Sequence, residues 1–210
     1  MTLVEFYQQE MVAQGWEAGG HRGSFSSAHE DIGIGTLALV PQVVDAVNIP
    51  VLAAGGIGDG RGVAAAMALG AEGVWMGTAF LSCTEAPITP IHRQTLASAK
   101  DDDTHLSRAF SGRPCRARKT PYSTALKRGR PQLHDFPLMY HYSSPIKRHG
   151  IDNDDVDRQF LLYGQAASLN AELSVSQLLS TLRWDCESAI EALHAQFIGG
   201  QGTIAVDSDE

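Results

Sequence analysis

The chain has 210 residues, 43% of them hydrophobic, enough for one domain with a substantial core and too few for two. Its formal net charge of -8, from 24 acidic against 16 basic side chains, leaves no broad positive surface to neutralise a phosphodiester backbone and argues against nucleic acid as a partner. Cys83, Cys115 and Cys186 are odd in number and far apart, which excludes a C-x-x-C chelate or dithiol cycle and fits a reducing compartment. With neither a basic leader nor an apolar run of bilayer length, the expectation is a cytoplasmic protein without a membrane partner.

From Met11 onward, short apolar runs alternate with glycine-rich turns and helical patterns, the order of parallel strands joined by helices. Met11-Val12-Ala13-Gln14 reads as a strand ending at Gly15, followed by a glycine-rich loop and a helix marked by Val40, Val43, Val44 and Val47. Val51-Leu52-Ala53-Ala54 is the next strand; it runs into Gly55-Gly56 and then a helix whose small apolar face is Val63, Ala66, Met67 and Gly70. The third strand, Gly73-Val74-Trp75-Met76, stops at Gly77-Thr78, and a short helical segment starts at Ala79.

Asp101-Asp102-Asp103, and then residues 111–150 with Pro114, Pro121, Pro131, Pro137 and Pro145, interrupt every regular pattern and read as an irregular excursion that wraps the barrel or covers its mouth. Residues 151–198 read as two helices, one with Val156, Phe160, Tyr163 and Ala167 on its face, the other with Val175, Leu178, Leu179, Leu182, Ile190, Leu193 and Phe197. Ser174 with Gln177 forms a capping box at the start of the second. Residues 199–210 read as a frayed tail.

Chemistry concentrates at the strand ends. In Ala54-Gly55-Gly56-Ile57-Gly58-Asp59-Gly60-Arg61-Gly62, a glycine-rich turn leads from a buried strand into a helix, so backbone N–H groups and the positive end of the helix dipole can meet an anion. Either this loop or Met76-Gly77-Thr78, taken alone, serves equally well as a tight turn. Two such loops in consecutive units match the phosphate site that barrels build after their last two strands, and the matching cofactor is a monophosphate such as FMN. His21, flanked by Gly20 and Gly23 just past the first strand, stands at the face where barrels place their chemistry; an imidazole there suits proton abstraction, although a lone histidine is more often structural. Arg22 reads as a substrate cation or an ordinary ion-pair partner, and Glu17 and Asp59 as residues that orient loops. His29, His92, His105, His134, His141, His149 and His194 form no metal-ligand pattern, and the basic run Arg113, Arg116, Arg118, Lys119 reads as a solvated face. Cys83 is expected to pack behind the short helix.

The runs Glu17-Ala18-Gly19-Gly20-His21-Arg22-Gly23, Ala53-Ala54-Gly55-Gly56-Ile57 with Asp59-Gly60-Arg61-Gly62, and Ala68-Leu69-Gly70-Ala71-Glu72-Gly73-Val74-Trp75-Met76-Gly77-Thr78 with Phe80 resemble the signature series of nitronate monooxygenases, also called 2-nitropropane dioxygenases. The resemblance is close over residues 12–119 and looser at Phe136-Pro137-Leu138 and Tyr163-Gly164-Gln165-Ala166. It implies an α/β chain forming the C-terminal portion of a TIM (β/α)8 barrel, with FMN held by Gly15, Gly20, Gly55, Gly56, Trp75, Met76, Gly77 and Thr78 and with His21 as catalytic base. The implied reaction oxidises alkyl nitronates or nitroalkanes with dioxygen to a carbonyl compound and nitrite, without a metal. Flavin-barrel reductases, the enoyl-acyl-carrier-protein and NADH:quinone reductases, share the glycine loops and are the nearest rivals.

A full barrel takes about 250 residues and eight strands. The three units read here correspond to its sixth, seventh and eighth, in residues 11–110, so the expected sheet keeps an open edge that favours self-association into a homo-oligomer. A chain with half the cradle also admits a third reading, a truncated, non-catalytic fragment.

Overall fold

The computed structural model describes residues 10–24, 33–129 and 132–198. The chain's first nine residues, His29, Pro131 and the tail from Gly199 lie outside them. Three parallel strands, β1 (Met11–Gln14), β3 (Val51–Ala54) and β4 (Gly73–Trp75), form a sheet in the order β1-β3-β4, with Gln14 level with Ala54 and Ala54 level with Trp75. Helix α1 (Thr36–Ala46) joins β1 to β3, and α2 (Gly60–Ala68) joins β3 to β4. Small side chains on the strands let both helices come close: Ala13, Ala53, Val51, Ala66, Ala71 and the fully buried Val40 form one core, flanked by Val43, Val44, Val47 and Val74.

Helix α2 ends because Gly70 takes a left-handed conformation, φ 91°, after which its N–H donates to the Met67 carbonyl and the Ala71 N–H to the Ala66 carbonyl. These two bonds satisfy carbonyls that the last turn would otherwise leave bare. The chain then re-enters the sheet at Gly73.

Beyond α3 (Thr78–Leu81) and α4 (Pro90–Ala97), a second sheet departs from the sequence expectation. It is antiparallel, in the order β2-β6-β5, from β2 (Gly20–His21), β5 (Thr104–Ser107) and β6 (Cys115–Arg118). Residues 111–150 are likewise more regular than their prolines suggested, with β6, α5 (Pro121–Gly129), α6 (Leu138–Tyr142) and α7 (Ser144–Asp152). Pro121 opens α5, Pro137 precedes α6 and Pro145 lies in the first turn of α7. At those positions a missing N–H forfeits no intrahelical bond, so these prolines start helices.

The helix expected over Val156 to Ala167 is absent. Two 3-10 turns, Val156–Arg158 and Gln165–Leu169, flank an irregular stretch in which Leu161 and Tyr163 pack against Leu96 and Ala99. The final helix, α8 (Val175–Ile198), matches its expected span, and its capping box is present: the Ser174 N–H donates to Gln177 Oε1 at 2.8 Å and the Gln177 N–H to Ser174 Oγ at 3.2 Å. It packs on α2, where Leu178 and Leu182 close a cluster with Ala79 and Cys83.

Among the described residues β1 and β4 pair only with β3, so the parallel sheet is an open portion of a barrel. Met11, Val12 and Trp75 are exposed along its flanking strands. Among the described residues no helix is long and apolar enough to cross a membrane, and no group of His, Cys, Asp and Glu is gathered as a metal site would need.

A Cβ on Gly70 would combine a left-handed backbone with a 3.0 Å approach to Val44 Cγ1. Gly70→Ala is expected to cost about 1–3 kcal/mol, read as a fall in Tm of roughly 2–4 °C for each kcal/mol in thermal unfolding.

Candidate active site

The alignment of Gln14, Ala54 and Trp75 brings Gly15, Gly55-Gly56 and Met76-Gly77-Thr78 to one edge of the parallel sheet, the carboxyl ends of its strands. Gly55 (φ 98°) and Gly56 (φ 73°) both use the left-handed region. A Cβ on Gly55 would come within 2.9 Å of Ala18, so this turn has no substitute residue. Among the described residues the amides of Gly55, Gly56, Gly77 and Thr78 donate to no backbone carbonyl. A Cβ built on Gly77 or on Gly20 (φ 82°) meets nothing within 4 Å, so backbone at both places borders open space. Gly15 differs: its N–H donates to the Ala54 carbonyl, its carbonyl accepts from Arg22, and Thr36 Oγ1 and the Glu17 carboxylate fill the place of a side chain.

The positive end of α2, expected to help hold an anion, is already neutralised. Asp59 caps it, accepting from the amides of Arg61 and Gly62 and pairing with the Arg61 guanidinium, which holds its carboxyl below the usual range. Gly60 meanwhile lies against Leu182, Asp185 and Cys186 of α8. Open amides at this edge are therefore those of the two strand-end loops. The loop-orienting reading of Glu17 also matches the contacts: its carboxylate accepts from the Thr36 amide at 3.0 Å and from the Thr36 hydroxyl at 2.9 Å, at the N-terminus of α1.

The loop after β1 is held from behind by two arginines. Arg22 donates to the carbonyls of Gln14 (2.7 Å) and Gly15 (2.8 Å) and lies over the Trp16 ring. Arg116, only 4% exposed, donates to the Trp16 carbonyl from Nε (3.1 Å) and Nη2 (2.8 Å), and to Thr104 Oγ1 from Nη1 (3.0 Å). Sequence reasoning put Arg116 on a solvated face; it is instead buried, because β6 is covered on both faces, with Cys115 and Ala117 as buried as Arg116 itself. Arg118 pairs with Asp157 and Lys119 reaches the Asp102 carbonyl.

His21 is half-buried on β2. Its Nε2 lies 2.9 Å from Ser111 Oγ, and its ring meets Phe136 and Phe160 edge-on at 6.4 and 6.2 Å between centroids. The buried Ser111 hydroxyl has one proton, which it donates to the Arg113 carbonyl at 3.1 Å, while accepting from the Arg113 amide at 3.3 Å. With the Ser111 proton on the Arg113 carbonyl, Nε2 carries a hydrogen and donates to Ser111 Oγ, which leaves the Nδ1 lone pair free; in the other tautomer Ser111 donates to Nε2. Burial, reinforced by the Arg113 charge, holds the imidazole pKa below its ordinary value.

Histidine and glycine loops are linked by one strap. Phe160 touches His21; four residues later the Gly164 amide donates to Thr78 Oγ1 at 2.9 Å, and the Gln165 amide donates to the Glu17 carbonyl. Thr78 is tied again by Asn170 Nδ2, which donates to its carbonyl. Ser111 went unnoticed in the sequence, and Arg116, Phe136 and Phe160 were read there without a place at this site, since only the fold brings residues 90 positions and more apart to His21 and its loop. Cys83 packs behind α3 as expected, fully buried beside Ala79.

The profile of the nitronate monooxygenase family matches residues 2–185. A probable nitronate monooxygenase of Staphylococcus saprophyticus is 36% identical over 174 residues, 82% of this chain and 49% of that protein. One from Staphylococcus aureus is 38% identical over 173 residues, with the same two shares of 82% and 49%. Nitroalkane oxidase from Streptomyces ansochromogenes superposes with a TM-score of 0.81 at 36% identity, over 88% of this chain and 53% of that one. FabK from Thermotoga maritima gives a TM-score of 0.74 at 32% identity, over 93% and 60%. The chain thus spans about half the length of the curated relatives it matches. With the family profile running through the strand-end loops, His21 and Ser111 alike, the chain belongs to the nitronate monooxygenase family.

Proposed function

We propose that the strand-end edge seats FMN and that the site oxidises alkyl nitronates, and nitroalkanes through them, with dioxygen to a carbonyl compound and nitrite. The observation that carries this reading is the meeting of the Gly55-Gly56 and Gly77-Thr78 loops at one sheet edge, with amides that donate to no backbone carbonyl among the described residues and with open space at Gly77. Such amides suit a phosphate monoester, which offers several acceptor oxygens and a charge of about −1.5 to −2 at neutral pH. In this arrangement the Thr78 hydroxyl, which accepts from Gly164, keeps its own proton to donate to the phosphate. Gly20 lets the cofactor approach the backbone, Trp75 and Met76 border it, and Gly15 contributes shape. When bound, FMN supplies the redox chemistry that passes electrons from substrate to dioxygen.

His21 Nδ1 takes a proton from the carbon next to the nitro group, leaving the nitronate anion. Its lowered pKa keeps the ring neutral and able to accept at neutral pH. Protonation beside Arg113 costs energy, and negative charge growing on the nitro oxygens offsets that cost as the proton moves. Ser111 holds the ring so that Nδ1, rather than Nε2, faces the substrate, and the aromatic rings at its sides exclude water. A preformed nitronate bypasses the proton transfer.

A flavin-barrel reductase remains the second reading, favoured by the likeness to FabK. Nitrite release from a nitronate without NAD(P)H consumption decides for the first, and NAD(P)H oxidation without nitrite for the second.

Mixed with FMN and desalted, the protein is expected to keep a visible flavin spectrum; a colourless protein would show the motifs to be those of a non-catalytic fragment. Gly77→Val fills the seat at a position where the fold has room, so FMN affinity should drop at least about tenfold with an unchanged apoprotein Tm. His21→Ala should lower kcat/KM for neutral nitroethane by ~10²–10⁴ and lower that for preformed ethylnitronate far less. For nitroethane, kcat/KM should rise with pH through an inflection below about 6.5, the ordinary imidazole value, because only the neutral ring accepts a proton. Arg113→Ala removes the smaller of the two depressing influences, so that inflection should move upward part of the way.

A further inference from the structure

His21 has two aromatic neighbours, and they differ in what lies on their far sides. Phe160 is backed by a stack: its ring lies 4.8 Å from that of Phe110, which in turn meets Tyr122 at 5.1 Å. Phe136 has one side against the imidazole and is 53% exposed. A large apolar ring left this open is costly unless something holds it there.

Its position is specified by several tethers. Arg108 pairs with Asp135, the residue before it, and donates from Nε to the Gly112 carbonyl at 2.9 Å. Gly112 is left-handed (φ 83°), and a Cβ there would come within 2.5 Å of the His134 carbonyl oxygen and 2.6 Å of the Phe136 nitrogen. From the other side, Met139 donates to the Asp135 carbonyl, and Ser143 Oγ to the Phe110 carbonyl at 2.6 Å. The backbone around Phe136 is thus clamped to the segment that carries Ser111, the hydrogen-bond partner of His21. A ring fixed against the histidine on one side and open to solvent on the other borders the path to that histidine.

We infer that Phe136 is a specificity-determining residue, an apolar side wall that limits the bulk of the alkyl group accepted next to His21, so that compact nitronates are preferred over long-chain ones. The inference rests on the nitronate reading for its substrate, though the screening of His21 by Phe136 does not. With the wall removed, the long chain gains apolar contact area at His21 while the compact substrate gains nothing, and with a larger ring the long chain is excluded.

Two measurements on the full chain with FMN test this. The first is the ratio of kcat/KM for hexyl-1-nitronate to that for ethylnitronate, in the parent, Phe136→Ala and Phe136→Trp. Phe136→Ala should raise the ratio about tenfold and Phe136→Trp lower it. Equal ratios in all three proteins overturn the inference. The second is carbethoxylation of His21 by diethyl pyrocarbonate, followed on the His21 peptide by mass spectrometry; it should run several-fold faster in Phe136→Ala and slower in Phe136→Trp. If the parent releases no nitrite from either substrate, the nitronate reading fails, and the labelling rates alone decide whether Phe136 guards His21. Equal labelling in the three proteins overturns that as well.

Discussion

Three consecutive carbonyls, those of Gln14, Gly15 and Trp16, are held by two guanidinium groups, and the rest of the site hangs on that contact. The carbonyls close β1 of the parallel sheet. Arg22 comes from the same loop, whereas Arg116 comes from the middle of β6 in the antiparallel sheet. A buried guanidinium is tolerated only where its donors are matched, and here the carbonyl of Trp16 and the hydroxyl of Thr104 match them. The bond therefore fixes the second sheet against the first at the place where His21 sits on one and the glycine loops on the other. Removing one partner leaves either a buried charge or a bare carbonyl, so the arrangement is resistant to gradual change.

Around that clamp the loops divide the work. Glu17 gathers Thr36 and the start of α1, Asp59 closes the end of α2, and Gly58 and Gly60 make room for the Gln165–Leu169 turn and for α8. Few of the glycines that make the sequence recognisable remain as open backbone. Gly20 and Gly77 do, and among the described residues the amides of Gly55, Gly56, Gly77 and Thr78 donate to no backbone carbonyl. The proposed seat for a phosphate monoester is thus made of what the packing has not used.

The parallel half of the fold was legible because its signals are local. Apolar runs ending in glycine mark strands, valines at helical spacing mark α1, and the Ser174–Gln177 pair marks the start of α8. Legibility failed where meaning depends on distant partners. Cys115-Arg116-Ala117-Arg118 looks like a polar surface run until the fold places it between β2 and β5 and buries Cys115, Arg116 and Ala117 alike. Prolines that break a helix and prolines that begin one read alike without the boundaries. Val156, Phe160, Tyr163 and Ala167 have helical spacing by coincidence: along an irregular path Val156, Tyr163 and Ala167 reach one cluster with Leu96, while Phe160 turns to His21 and Phe110. His21 stood out by its glycine neighbours, whereas Ser111 carried no local mark and the Phe136-Pro137-Leu138 run gave no sign of a contact with His21.

The strap from Phe160 to Asn170 has a bearing on the order of assembly. It joins Thr78 across 86 residues and touches His21 on the way, so neither group reaches its final surroundings until this late segment has docked. Loop closure over such a separation is paid before the contacts repay it, which places completion of the site near the end of folding. Linkage works in the other direction too: whatever occupies the glycine seat favours the docked strap, and through it the ordered histidine. Ordering of the histidine and completion of the fold are, in this chain, one equilibrium.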